Sequence, residues 1–477
     1  MVMFPADSRN ISSAGRHKIV KRPVGCKMKK AKTEELLQWD QDHLIHSMWP
    51  MGTTRGMVFD TAQGVIIRDT EGKEYIDSSS QLVNVNIGHG RKEVIEAIVE
   101  QLGKLQYTTT YWGLTNTAAI RCAKKLAEIT PAGLKHFFFT SGGSESVETA
   151  FKIARNFWHA TKPEKNKIIS LYHSFHGVSF GTLSATSLGM GRLWKSYGPL
   201  VPGFLHIPSY YCYRCAFGLE YPGCRIKCAN FLAETIEQEG RDSVAAFIAE
   251  PVQGSAGMII PPPEYWPKVR QICSETGVLL IADEVMSGFG RTGKLFAVEN
   301  WGVIPDIMTM AKGITSGYIP FGAVAIREEI YQELKSRQAP FLHGFTYSGH
   351  AVGAAAAVRD MEIIVDEKLA DNAARMGKYA LGRLKEEFLP LPAVGDVDGL
   401  GLMIGIEYVE DKKTRAVSQK VLEVSQKIQD RALKDGLFLR VFGSRITISP
   451  PLIINQEQMD KILAILKPIV AKIPEMA

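Results

Sequence analysis

Four short apolar runs decide the kind of fold open to this chain. Residues 136–140, 167–172, 244–250 and 278–282 are almost continuously apolar. A strand with one wet face alternates apolar and polar residues, whereas an unbroken run is covered on both faces. Helical spacing follows the first run, where Val147, Ala150, Phe151, Ala154 and Phe157 recur along one side. Strand and helix keep alternating from about residue 115 to 330. The pattern predicts an α/β domain with a mostly parallel sheet and helices on both faces. After about residue 350 the texture changes to long helices, 351–364 and 418–434, and a strand-like piece, 445–449, before Pro450-Pro451. That suggests a smaller α+β domain, joined by the N-terminal segment. There, 64–69 and 73–77 read as a hairpin turning at Glu71-Gly72. Residues 33–46 read as an opening helix with Thr33 as its N-cap. At 477 residues the chain exceeds one ordinary core. The expected division is an N-terminal arm and part of the small domain over 1–80, a large domain over 81–345, and the rest of the small domain over 346–477.

Composition removes several classes. Hydrophobic residues make up 45% and charged ones 22%, ordinary for a soluble globular protein. A membrane span needs about eighteen consecutive apolar residues, and none occurs, so no membrane association is expected. Net charge is +6, with much of the excess in the first 32 residues, where Arg9 to Lys32 face only Asp7. Such a segment suits nucleic acid or anionic lipid. It lacks interleaved aromatics and an apolar face, so a solvated or dimer-wrapping arm is expected, with no nucleic-acid partner. The start carries no apolar signal core, and seven cysteines do not form a secreted framework. The cytoplasm is the expected compartment.

Lys312 carries the chemistry. It lies just beyond the apolar stretch around Ile307 and Met308, and upstream Asp283 ends the run 279–283. A lysine in an apolar setting loses ammonium solvation, its pKa falls, and the free amine becomes a nucleophile. A carboxylate at a strand end can keep a nitrogen heterocycle protonated. Together they suggest a pyridoxal phosphate site, with Lys312 as the Schiff-base lysine and Asp283 as partner of the ring nitrogen. Three further segments fit the same sheet edge. Thr140-Ser141-Gly142-Gly143-Ser144-Glu145 joins a strand to a helix, where paired glycines and orphan N–H groups can cradle a phosphate. Phe175-His176-Gly177 offers a flat ring and a close backbone approach. Glu250-Pro251-Val252-Gln253-Gly254 puts polar groups at a strand's carboxyl end, the edge where open α/β sheets bind ligands.

These residues carry a resemblance. The segment Ile281-Ala282-Asp283-Glu284-Val285-Met286-Ser287-Gly288-Phe289-Gly290-Arg291-Thr292-Gly293, continued to Ala311-Lys312-Gly313, resembles class III, or omega, aminotransferases of the fold-type I pyridoxal phosphate enzymes. So do Gly88-His89-Gly90, Gly143-Ser144-Glu145, His176-Gly177, Glu250–Gly254 and Phe345-Thr346-Tyr347-Ser348-Gly349-His350. The resemblance covers roughly residues 40 to 470. It implies a fold-type I large domain with a seven-stranded, mostly parallel sheet, plus the smaller α+β domain. It also implies a homodimer with a shared active site, pairing into a tetramer in some arrangements. Lys312 would bind the cofactor aldehyde and move the proton, and Asp283 would hold the ring nitrogen protonated. Val285 and Phe175 would cover the two ring faces, with His176 beside them. Gly143 and Ser144 would hold the phosphate, helped by Thr346 from the other subunit. Glu250 and Gln253 would support the ring and its phenolic oxygen.

By the same resemblance, Arg440 would bind a substrate carboxylate, as a planar guanidinium does through two parallel hydrogen bonds. Trp49, Tyr111 and Trp112 would line the substrate pocket or pack at an interface. The implied activity moves a terminal amino group from an omega-amino acid or amine, of the taurine, beta-alanine, 4-aminobutyrate or diamine kind, to a 2-oxo acid, pyruvate being expected. An aminomutase, a decarboxylating relative, or a non-catalytic cofactor- or zinc-binding protein would share the fold. Met286 stands where relatives acting on 4-aminobutyrate have glutamine, and Val83 where several pyruvate-dependent relatives have tryptophan, so the donor stays open. Lastly, Cys212, Cys215, Cys224 and Cys228 fall within seventeen residues. Their spacing suits either a structural tetrahedral zinc site or reduced thiols in a surface excursion.

Overall fold

A computed structural model of the protein describes residues 31–476. The basic arm, apart from its last two residues, lies outside them. The described chain separates into two compact units, 31–58 and 59–476. Within the first, Thr33–His43 is a helix, as expected, but Lys32 occupies the cap position and Thr33 is already helical. The chain after it is held by a 2.8 Å bond between His46 and Asp40.

The second unit is built on fifteen strands: β1 (Phe59–Gln63), β2 (Ile66–Asp69), β3 (Glu74–Asp77), β4 (Leu134–Thr140), β5 (Lys167–Leu171), β6 (Phe204–Ile207), β7 (Val244–Ala249), β8 (Leu279–Asp283), β9 (Ile307–Met310), β10 (Gly322–Arg327), β11 (Val394–Leu400), β12 (Met403–Tyr408), β13 (Leu437–Phe438), β14 (Arg440–Phe442) and β15 (Arg445–Ile448). Seven form the large sheet, in the order β4-β10-β9-β8-β7-β5-β6. β5, β6, β7, β8 and β9 pair in parallel. β10 runs against both neighbours, β4 and β9. The carboxyl ends of β4, β5, β7, β8 and β9 therefore share one rim. Every residue of β7, β8 and β9 is buried, which is why those runs have no polar alternation.

The helix Gly143–His159 covers one face of this sheet through Val147, Ala150, Phe151, Ile153 and Ala154. Val147, Phe151 and Ile153 each contribute about 1.5–3 kcal/mol when removed from water. The helix Ala351–Asp366, rich in alanine, packs against the helices Lys92–Lys104 and Thr117–Ile129. Four strands, β11-β12-β15-β14, make the antiparallel sheet of the smaller domain. The expected hairpin is β2–β3, turning at Gly72 with φ +85°. β13 pairs in parallel with β3, Leu437 opposite Ile76, so the chain beyond the helix Gln419–Lys434 returns to the hairpin. Among the described residues no helix is long and apolar enough to cross a membrane.

Candidate active site

Lys312 follows β9 and opens a 3-10 turn, Lys312–Ile314. Its φ is +48°, a left-handed conformation that a non-glycine residue holds only when its surroundings enforce it. Asp283 ends β8, directly across from Thr309 of β9. A cavity of about 390 Å³ opens over this rim and is lined by both residues. It also brings together Gly143, Ser144, Phe175, His176, Glu250 and Val285, all expected from the sequence.

The carboxylates are held by many donors. His176 Nδ1 lies 2.6 Å from Asp283 Oδ2. The other Asp283 oxygen accepts from the Val285 N–H and the Thr309 hydroxyl, each at 3.1 Å. Glu250 accepts from the N–H groups of Phe175 and Gly254, both at 3.0 Å. Burial nevertheless pushes the Glu250 carboxyl up to about 7, against the favourable field of His176. Loss of water brings the Lys312 amine down to about 8, although Asp283 pulls the other way. The amine is therefore poised to deprotonate near neutral pH.

The turn between β4 and its helix makes an anion cradle. Gly142 occupies the helix cap, so the first N–H groups of Gly143–His159 face the cavity at the positive end of the helix dipole. A Cβ on Gly143 would lie 2.8 Å from a Val285 methyl, and one on Gly177 would collide with the Ser144 hydroxyl. Glycine is thus required where backbone lies against the Val285 and Ser144 side chains. The Ser141 hydroxyl and His176 Nε2 are buried here with no hydrogen-bond partner. Unpaired polar atoms of that kind suit a polar ligand rich in oxygen, which fits pyridoxal phosphate.

Other expected residues stand elsewhere. Gln253 is fully buried but does not line the cavity; its amide bonds the Ser209 hydroxyl at 2.5 Å and the Tyr172 carbonyl at 2.9 Å. Thr346 is exposed, its carbonyl accepting from Tyr107 at 2.7 Å. Tyr111 and Trp112 line a different surface cavity, with Phe138, Leu342 and His343. Trp49 belongs to the first unit, where Arg55 stacks over its ring at 4.9 Å. Arg440 in β14 is outside the lining, yet close enough for its charge to lower the Lys312 pKa. Its guanidinium rests 4.4 Å from the Phe442 ring, and its Nη1 is buried without a partner.

The zinc expectation is corrected. Cys212, Cys215, Cys224 and Cys228 share a cavity of only about 20 Å³ and are all free thiols. Among the described residues no three His, Cys, Asp or Glu side chains converge on a metal position. Burial pushes Cys212 up to about 11 and Cys228 to about 12. The cysteine segment is instead fastened by its other side chains: Tyr210 donates to the Glu250 carbonyl, and Arg214 to Glu407 at 2.9 Å.

The sequence reading missed Thr309, because its contact with Asp283 depends on the register of two strands that are distant in sequence. It also missed Leu82, Asn84 and Phe321 in the cavity wall. Leu82 follows Gln81 and precedes Val83, both at positive φ, a kinked segment with no glycine to announce it.

Comparison with known proteins agrees with this geometry. The profile of the family described as aminotransferase class-III matches residues 51–470, and the chain belongs to that family. It is a pyridoxal phosphate-dependent transaminase by class. The putrescine–pyruvate aminotransferase of Pseudomonas aeruginosa is 35% identical over 91% of this chain and 95% of its own. The diaminobutyrate–2-oxoglutarate transaminase of Halomonas elongata is 36% identical over 87% and 90%. Among solved structures, an (S)-enantioselective omega-transaminase from Thermomicrobium roseum superposes with a TM-score of 0.90 at 41% identity, covering 93% of this chain and all of that one.

Proposed function

We propose that this transaminase moves a terminal amino group from a diamine, omega-amino acid or related amine to a 2-oxo acid, with pyruvate as acceptor. The observation that carries the reading is the Lys312 amine, brought down to about 8, in a cavity shared with Asp283 and the 141–144 turn. The donor class rests on the putrescine- and diaminobutyrate-specific relatives.

Bound there, pyridoxal phosphate supplies an aldehyde that takes up amines and a ring that absorbs carbanion charge. Gly143 and Ser144 hold the phosphate through backbone N–H groups. Thr346 of the second subunit completes that grip in a homodimer. Asp283, oriented by His176, Thr309 and the Val285 N–H, keeps the ring nitrogen protonated. Val285 and Phe175 confine the ring between them. Glu250 fixes the Phe175 and Gly254 backbones beside it, and Gln253 supports that segment through Ser209. Lys312 Nζ would hold the cofactor, and as a free amine it would take the proton from the donor carbon bearing nitrogen and give a proton back. Arg440, with its free Nη1, leaves Phe442 to bind the acceptor's carboxylate through paired charge-assisted bonds.

The test is a panel of amines against pyruvate and 2-oxoglutarate, following the visible band of the lysine-bound cofactor. Putrescine or a related diamine should bleach it, and pyruvate should restore it. Bleaching by 2-amino acids alone, or turnover of one substrate without an oxo acid, would refute the proposal and favour an isomerase of the same fold.

A further inference from the structure

Arg291 is fully buried, and the bonds of its guanidinium all go to neutral oxygens. A guanidinium so placed is costly to bury without a carboxylate beside it. Burial draws it down to about 9, so it still carries its charge at neutral pH. Its fork ties two separate pieces of chain together. Nη1 donates to the carbonyls of Ser449, at 3.2 Å, and of Pro450, just beyond β15. Nη2 donates to the Ser80 hydroxyl at 3.1 Å and to Asn86 Oδ1 at 2.7 Å. The Ser80 hydroxyl donates in turn to the Ser449 carbonyl at 2.8 Å.

Between Ser80 and Asn86 the chain forms a wall of the cavity, through Leu82 and Asn84. That wall is strained. Ser80, Gln81 and Val83 hold φ of +45°, +57° and +58°, and none is glycine. Such backbone persists only where its neighbours over-determine it. The Asp77 carboxylate fixes the start, accepting from the Ser79 and Gln81 N–H groups at 3.2 and 3.0 Å. Arg291 grips both flanks, at Ser80 and at Asn86. The wall also lies directly on the turn that carries Lys312. A Cβ on Gly313 would strike the Asn86 amide nitrogen, and one on Gly317 would come within 2.5 Å of the Asn84 amide nitrogen. The Asn86 amide donates to the Phe289 carbonyl at 2.8 Å, two residues before Arg291. The spacing between wall and turn therefore depends on where Asn86 is held.

We propose that Arg291 is a positioning residue that clamps the 80–86 wall against the Lys312 turn, and so sets the width of the cavity open to an incoming amine. A lysine at this position keeps the charge but not the planar fork that reaches both pairs of acceptors. Without the fork, Gln81 and Val83 return to negative φ and Leu82 withdraws from the cavity. The inference rests on the reading of that cavity as the site of amine exchange, but one arm of its test does not.

That arm is hydrogen exchange on the cofactor-free protein, comparing wild type with Arg291→Lys and Arg291→Met. Amide exchange across residues 79–87 should rise about tenfold or more, with that of β7 and β8 unchanged. The second arm uses the cofactor-loaded enzyme and two reagents of one chemistry and different size, hydroxylamine and O-benzylhydroxylamine. Each bleaches the visible band, and each rate is divided by its rate with free pyridoxal phosphate. Wild type should favour the smaller reagent, and both variants should reduce that preference about tenfold. Ser80→Ala, which removes one of the four acceptors, should reduce it about two- to fivefold, and should add less than about twofold to Arg291→Met. Should Arg291→Met fail to fold, Arg291→Lys and Ser80→Ala carry the same comparison. A general rise in exchange, or equal changes with both reagents, would make Arg291 a plain stabiliser and overturn the proposal. A wild type without preference, or a preference in Arg291→Lys equal to that of wild type, would overturn it too. A missing band in wild type would instead refute the role of Lys312, and the exchange arm alone would then decide the clamp.

Discussion

Lys312 is useful as a nucleophile only without its proton, and its surroundings decide when that happens. Burial lowers its pKa to about 8, since the charged form is the one that loses water. A lowered base pKa means that the neutral amine dominates above pH 8 and falls about tenfold for each unit below it. The rate at which cofactor-free protein takes up pyridoxal phosphate should follow that curve, rising through pH 6 to 8 and levelling beyond. Stopped-flow absorbance at several pH values measures it; a rate flat from pH 6 to 9 would contradict the assignment. Lys312→Ala should lower turnover about 10²–10⁴-fold or more, while the 141–144 turn still binds the phosphate. Arg440 makes a separate prediction. Removing a guanidinium from a carboxylate costs about 1.5–3 kcal/mol, so Arg440→Ala should raise KM for pyruvate about 10–150-fold. An uncharged amine donor should be affected far less, and equal losses on both would count against the role.

At the scale of elements, the sequence disclosed what periodicity can disclose. The buried strands β7, β8 and β9 were visible because both faces are covered, and Asp283 and Lys312 were visible because polar residues end such runs. Contacts that depend on which strand lies beside which were not. β10 enters between β4 and β9 and runs against both, which no local pattern announces. Thr309 meets Asp283 only through the register of β8 on β9. Gln253 sits in the motif expected at the cofactor, but its amide turns to Ser209 and Tyr172. The four cysteines had metal-like spacing, yet spacing does not set where thiols point. The junction of β4 with its helix is the element most open to test. A Cβ at Gly143 would press on Val285, and overpacking of that order costs about 1–3 kcal/mol. Gly143→Ala should therefore lower the melting temperature of the cofactor-free protein and, by pushing Val285 and the turn apart, weaken cofactor binding about 5–150-fold. Equal affinity in an absorbance titration would mean that the cradle has room to spare.

Taken as a whole molecule, the protein buries several carboxyl groups in their neutral form, and this sets an unusual pH dependence. Glu250 and Glu284 are held up to about 7 and Asp360 to about 8, all by burial. Unfolded, the same groups titrate near 4. At these three groups the folded state therefore binds more protons than the unfolded one between roughly pH 4 and 8, and their contribution to stability falls as pH rises through that window. Each group contributes a slope of up to about 1.4 kcal/mol per pH unit where its two protonation levels differ fully. His206 and His343, brought down to about 4 by burial, act in the opposite sense between about pH 4 and 6.5, and Lys312 does so above pH 8, where the folded state binds fewer protons than the unfolded chain. Surface acids such as Glu93, held low by Arg91, act below this window and are screened by solvent. Calorimetry of the cofactor-free protein should thus give a melting temperature that declines from about pH 6.5 to 8, above the window in which the histidines oppose the carboxyls. Glu284 isolates one contribution. It accepts from the Ser287 hydroxyl at 2.5 Å and the Val298 N–H at 2.8 Å, and touches neither Lys312 nor Asp283 in the hydrogen-bond network. Glu284→Gln removes its titration while keeping an acceptor, so the decline should become shallower without a change in the pH dependence of cofactor uptake. A melting temperature that rises across the same interval would mean that these carboxyls ionise inside the fold, and that the cavity around Lys312 is wetter than its walls suggest.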